Sequence, residues 1–236
     1  MKLPELRQQV LEANLELVRR RLVIYTWGNA SGVSRDDGLV VIKPSGVPFE
    51  ELKAEDMVIT DLEGAVVEGD YKPSTDLTTH LEIYNAFPGA GGVAHTHSTH
   101  ATAFAQAGLE IPCYGTTHAD YFYGPVPVTD LMTPAEIRSE YERNTGRVIV
   151  RRFAGMDASA VPAVLVRGHG PFAWGASPAK AVYHAVVLEE VATMAWITRG
   201  LNPEASLLPQ AYLDLHYLRK HGPQATYGQT GAGQSA

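Results

Sequence analysis

The chain of 236 residues has a formal net charge of −7, with 45% hydrophobic and 19% charged residues. That is enough apolar mass for one sizeable core, and the acidic balance excludes a general nucleic-acid surface, which needs clustered basic side chains. Cys113 is the sole cysteine, which leaves no internal disulfide to form. No run approaches the roughly 20 apolar residues of a membrane span, and the first residues lack the apolar centre of a signal peptide, so a reduced, cytoplasmic protein is expected.

In chain order, residues 4–21 place Leu6, Val10, Ala13 and Leu17 at helical spacing. Strand-like runs follow at 22–27, 39–43, 57–62 and 65–68, with Glu63-Gly64 as a hairpin turn between the last two. Residues 76–87 are helical in pattern and stop at Pro88; 92–98 form a strand, and 99–107 a helix ending at Gly108. Thr133-Pro134-Ala135-Glu136 is a capping box opening a helix toward Asn144. A buried strand at 163–167, a long helix from Ser177-Pro178 to about Thr198 and a last helix over 204–221 complete the series. The small polar residues 230–236 read as a flexible tail. The fold expected is a single α/β (α+β) layered domain over 1–229, a central mainly antiparallel sheet flanked by helix layers.

Chemistry concentrates in Gly91-Gly92-Val93-Ala94-His95-Thr96-His97-Ser98. In a strand, residues two apart share a face, so His95 and His97 can aim at one point. His169 lies between two glycines straight after an apolar strand, where the backbone can approach closely. Three imidazoles with an open fourth position make a catalytic rather than a structural zinc pattern, and Asp76 could fill that position when substrate is absent. His100 is a rival third ligand, although a structural role suits its helical turn better. His80, His184 and His216 sit in helical patterns as satisfied local residues.

Two further segments suit an anion. Lys43-Pro44-Ser45-Gly46 ends a strand with a cation, a hydroxyl and an unobstructed amide, and Ser74-Thr75 precede a helix whose free N–H groups attract negative charge. Asn29 could add an amide donor. No phosphate loop or dinucleotide fingerprint is present, so no nucleotide is expected.

With these residues in hand, the chain resembles the class II aldolase/adducin family, and within it the L-ribulose-5-phosphate 4-epimerases. The matching pieces are Thr26-Trp27-Gly28-Asn29, Lys43-Pro44-Ser45-Gly46, Pro73-Ser74-Thr75-Asp76, His95-Thr96-His97-Ser98, the run from Gly115 to Gly124, the run from His169 to Gly175, and Tyr227-Gly228-Gln229. They fall in order over residues 3–229. Thr75 stands where the family carries serine and keeps the hydroxyl.

The resemblance implies a sugar-phosphate isomerase of a pentose pathway such as arabinose breakdown, working by retro-aldol cleavage and re-addition. It implies zinc (manganese or cobalt as alternatives) on His95, His97 and His169 with Asp76 nearby. Asn29, Lys43, Ser45, Gly46, Ser74 and Thr75 would hold the phosphate. Asp120 and Tyr227 would transfer protons from the adjacent subunit of a homotetramer, helped by His216 and Arg219. The nearest rival is a class II aldolase acting on a deoxy-sugar phosphate such as L-fuculose 1-phosphate. Such enzymes usually carry glutamate where Asp76 stands, which favours the epimerase. A zinc hydrolase leaves the anion site unexplained, and the non-catalytic adducin branch is expected to lack the ligands.

Overall fold

The structure, a computed structural model, describes residues 1–223 and 225; Tyr227 and the expected tail at 230–236 lie outside them. Seven strands form one antiparallel sheet in the order β4-β3-β2-β1-β5-β7-β6. They are β1 (Asn29–Ser34), β2 (Leu39–Ile42), β3 (Val58–Asp61), β4 (Val66–Glu68), β5 (Gly92–His95), β6 (Ala163–Val166) and β7 (Gly170–Gly175). Eight α-helices are found among the described residues: α1 (Pro4–Arg19), α2 (Leu77–Ala86), α3 (Thr99–Ala107), α4 (Thr116–Ala119), α5 (Pro134–Arg138), α6 (Tyr141–Arg152), α7 (Pro178–Leu201) and α8 (Gln210–His221). None is long and apolar enough to cross a membrane.

Period-2 alternation along the strands splits the core into two layers. Val41, Ile59, Ala94, Leu165 and Ala173 pack with α1, α3 and α7, while Val40, Ile42, Val58, Val93, Phe172 and Trp174 pack with α2 and α6. The layered single domain expected from the sequence is the one found.

Several elements differ from expectation, each for a local reason. Residues 22–27 are not a strand: Arg21 and Tyr25 take φ of 58° and 54°, which breaks extended backbone, and Leu22 and Val23 drop into the core instead. The strand starts later, at Asn29, where buried Asn14 pairs with both the N–H and the carbonyl of Ala30. The helix opened by the Thr133 capping box stops at Arg138, because the Asn144 amide ties the Glu136 carbonyl and the Ser139 hydroxyl; a second helix, α6, then runs on to Arg152. Strand β7 is hidden in the sequence by Pro171 and its flanking glycines. The last helix waits for Gln210, just past Pro209.

Gly92 sets how closely α7 lies on the sheet. A Cβ there would stand 2.5 Å from Pro178 Cα and N and from the Ser177 carbonyl carbon, all backbone atoms with no rotamer to yield. Gly92→Ala is therefore expected to cost about 3 kcal/mol, at the upper end of overpacking. A calorimetric midpoint lowered by roughly 6–12 °C is the readout; an unchanged midpoint would mean that α7 is free to shift.

Candidate metal centre

Strand β5 ends at His95, so His97 lies beyond the sheet and the pleat does not align the two rings as the sequence implied. Instead the chain turns at Thr96, whose N–H points to the Pro171 carbonyl. This folds exposed His97 back over buried His95. His169 arrives in the tight turn between β6 and β7, where Gly168 takes φ of 76°, a value that disfavours other side chains. On the other side, a Cβ at Gly170 would meet the Thr96 carbonyl at 2.9 Å. The flanking glycines thus let the third imidazole approach the β5 end.

The three rings form a nearly regular triangle, with centroid separations of 4.9 Å (His95–His97), 4.8 Å (His95–His169) and 5.1 Å (His97–His169). One ligand atom from each lies within 4.8 Å of the others. His95 stacks on Phe172 at 4.1 Å, and its Nδ1 bonds the Pro171 carbonyl at 2.9 Å, so that nitrogen carries the proton and Nε2 keeps its lone pair. His95 Nε2 and His97 Nε2 stand 3.2 Å apart. Two nitrogens on one tetrahedral zinc are separated by about 3.3 Å, given the usual bond length. His169 Nδ1 is buried without a partner among the described residues. Burial first, then the neighbouring His95, lowers the proton affinity of His97; burial, His95 and His97 bring His169 down to about 4. His97 and His169 are thus suited to bind a divalent cation in the neutral form that coordination requires, and His95 turns its Nε2 toward His97.

Asp76, at the N-terminal end of α2, is not part of that three-residue group. Its Oδ2 accepts from Asn29 Nδ2 at 2.7 Å, and the same amide reaches Ser74 Oγ at 3.0 Å. Burial pushes the Asp76 carboxyl up, but His95, His80, the Asn29 amide and His169 together hold it below the ordinary carboxylate range. Behind this pair, buried Ser31 links His80 Nδ1 and the Tyr84 hydroxyl at 2.7 Å each, fixing α2 against β1.

The two expected anion segments are brought side by side: the Ser74 N–H donates to the Lys43 carbonyl, the Ser45 N–H donates to the Lys72 carbonyl, and Pro44 bridges Pro73. Ser45 and Gly46 are exposed. Lys43 is not the solvated strand end that a simple reading would give. It is 2% exposed, lies over the Phe49 ring at 4.8 Å and donates to the Pro44 and Val47 carbonyls, bracing its loop from beneath. Burial lowers its ammonium to about 8, so it stays a cation at neutral pH.

His100 does not face the triangle. Its Nδ1 bonds Glu189 Oε1 at 2.8 Å and Thr193 Oγ1 at 2.9 Å, while Glu189 also caps the first N–H groups of α3. Asp120 lies in a separate cluster with His216 and Arg219 on α8. No sequence signal pointed to Tyr141, whose ring centroid is 6.3 Å from that of His169; Trp27, quoted above only as part of a matching piece, has its ring centroid 6.4 Å from that of His97. Lys220, beside Asp120, was also missed.

A family described as class II aldolase and adducin N-terminal domain matches residues 8–196. Among solved structures, an L-fuculose 1-phosphate aldolase is similar at 27% identity and a TM-score of 0.76, over 90% of this chain and 94% of its own. YgbL from Klebsiella pneumoniae, a candidate aldolase/epimerase/decarboxylase, shares 28% identity at a TM-score of 0.72, over 89% and 97%. The L-fuculose-1-phosphate aldolase from Thermus thermophilus shares 26% identity at 0.66, over 84% and 97%.

Proposed function

The chain belongs to the class II aldolase and adducin N-terminal domain family, and from that premise we propose that it is an epimerase interconverting L-ribulose 5-phosphate and D-xylulose 5-phosphate. The observation that carries an enzymatic reading is the triangle of imidazoles beside the Asn29–Ser74–Asp76 network. His95, His97 and His169 would hold zinc, with manganese or cobalt as alternatives, and Asp76 is close enough to influence the site. When bound, such a cation polarises a ketone and its neighbouring hydroxyl as a Lewis acid.

The remaining work falls to the chain itself. Asn29, Ser45, Gly46, Ser74 and Thr75 hold the phosphate, with Lys43 supplying positive charge from below. Their grip must outlast cleavage of the bond between the third and fourth carbons, because the small aldehyde fragment has to turn and present its other face before re-addition. Inversion requires proton transfer on two opposite faces. The Asp120 cluster serves one and Tyr227 the other, each worth typically ~10²–10⁴-fold. We place the shared sites between subunits of a homotetramer. Tyr25, Trp27, Leu215 and Leu218 expose 82%, 53%, 61% and 49% of their surface, apolar area that a neighbouring subunit would cover.

A second reading, cleavage of L-fuculose 1-phosphate or a related deoxy-sugar phosphate, is favoured by the likeness to aldolases of that name. Incubating purified protein with L-ribulose 5-phosphate separates the two by NMR. D-xylulose 5-phosphate is the expected product. Accumulating glycolaldehyde phosphate and dihydroxyacetone, or turnover of L-fuculose 1-phosphate alone, would replace the epimerase with the aldolase.

A further inference from the structure

Helix α6 begins at Tyr141, and its first turns are tied closely to α2. The Thr79 hydroxyl donates to the Glu142 carbonyl. At Gly146 a Cβ would stand 2.5 Å from Glu82 Cβ and 3.1 Å from the Thr79 carbonyl oxygen, so only glycine lets the two helices meet at this depth. Thr79 lies three residues beyond Asp76, and residues so spaced are neighbours on a helix surface. Tyr141 is thereby brought to the end of α2 that carries Asp76. The Thr145 hydroxyl donates to the Tyr141 carbonyl at 2.9 Å and steadies its backbone. The Tyr141 ring stands 6.3 Å from that of His169, centroid to centroid, at an interplanar angle of 39°.

The side chain is half-buried, and its hydroxyl has no hydrogen-bond partner among the described residues. Tyrosine hydroxyls in partly apolar surroundings ordinarily find a partner, so one left open beside the imidazole triangle is available to a ligand. Burial first, then Glu142 and Asp76, push the phenol up from its ordinary value, so it keeps its proton at neutral pH and can donate. The same two carboxylates oppose a further negative charge at this spot. A phosphate suits the Asn29 and Ser74 donors. A neutral oxygen suits the phenol.

We infer that Tyr141 is a substrate-binding residue of this site, its phenol donating to a hydroxyl on the uncharged carbon backbone of the sugar rather than to the phosphate. This rests on the reading of the chain as an enzyme acting on a sugar phosphate. The phenol transfers no proton, and it grips the ground state and the transition state alike. A sugar lacking the contacted hydroxyl would leave the donor unpaired, which makes Tyr141 a determinant of specificity.

The test compares Tyr141→Phe with the unaltered, metal-loaded protein. The variant removes one oxygen that touches no other protein group, so the calorimetric unfolding midpoint and the metal content are expected to be unchanged. The KM for L-ribulose 5-phosphate should rise about 3–10-fold, the worth of one neutral hydrogen bond, while kcat stays within about twofold. Binding is read apart from turnover by calorimetric titration with an equilibrated mixture of L-ribulose 5-phosphate and D-xylulose 5-phosphate, in which no net reaction adds heat. Its Kd should weaken by the same factor, and the Kd of inorganic phosphate should hold. Unchanged KM and Kd, a loss of kcat with KM unchanged, or an equal weakening toward inorganic phosphate would each overturn the assignment. Should L-fuculose 1-phosphate be the only sugar turned over, the epimerase reading falls and the comparison is made with that sugar, where a raised KM supports Tyr141 and an unchanged one overturns it. Should the unaltered protein bind none of these sugar phosphates, the functional reading and the assignment fall together.

Discussion

Replacing His97 by asparagine is expected to strip the protein of most of its divalent metal and of nearly all turnover together. His97 is the exposed corner of the triangle, so the change removes one nitrogen without opening the core. The buried His95 keeps its bond to the Pro171 carbonyl and its stack on Phe172, which argues for a folded variant. A bound Lewis acid supplies several kcal/mol toward the transition state. At about 1.4 kcal/mol per factor of ten, its loss corresponds to a fall of roughly 10³-fold or more. Elemental analysis of the purified variant, paired with the L-ribulose 5-phosphate assay, reads both quantities; chelation of the unaltered protein should reproduce the activity loss, and added zinc should reverse it. His100→Gln provides the contrast, since that side chain is committed to Glu189 and Thr193 and should keep the metal. Full metal occupancy in His97→Asn would remove this residue as a ligand, and metal loss in His100→Gln would reinstate the rival.

Asn29→Asp should be nearly as damaging, by a different route. The two side chains have almost the same shape, and Asn29 is 3% exposed, so packing is preserved. What changes is one donor. The Asn29 amide donates to Asp76 Oδ2 at 2.7 Å and to Ser74 Oγ at 3.0 Å; a carboxylate there would set like charges face to face. One of the two acids must then take a proton at neutral pH, or negative charge would stand beside a site meant to attract an anion. Losing a buried hydrogen bond to a charged group costs about 1.5–3 kcal/mol before repulsion is added. The KM for L-ribulose 5-phosphate should therefore rise by roughly 10²-fold, at about 1.4 kcal/mol per tenfold, with metal content retained. An unchanged KM would take Asn29 out of the anion cradle.

Local pattern carried some features of this protein and concealed others. Helices α1, α2, α3 and α7 were legible because their periodicity, caps and terminal prolines or glycines are written in contiguous residues. The first strand was expected from Leu22 and begins only at Asn29, because Leu22 and Val23 look strand-like yet serve as plugs for the core, with the left-handed backbone at Arg21 and Tyr25 deciding the matter. Strand β7 was unreadable, since Pro171 and two glycines argue against a strand when its neighbours β5 and β6 are not in view. The division of α5 from α6 depends on where one amide, that of Asn144, finds its acceptors.

The candidate site divides along the same line. Residue type and spacing alone singled out His95, His97 and His169, and placed Lys43, Ser45, Ser74 and Asp76 at element ends where amides and charges are available. The sequence determined, in short range, the ligand chemistry on offer and the layered class of fold, because both depend on neighbours along the chain. Only the tertiary structure decided that His97 reaches His95 by a turn rather than by the strand pleat, that Lys43 works from beneath its loop, and that α8 clamps Asp120 from far along the chain. Those outcomes follow from which buried donors find acceptors once the sheet and its two helix layers close, a competition among distant groups that no local pattern encodes.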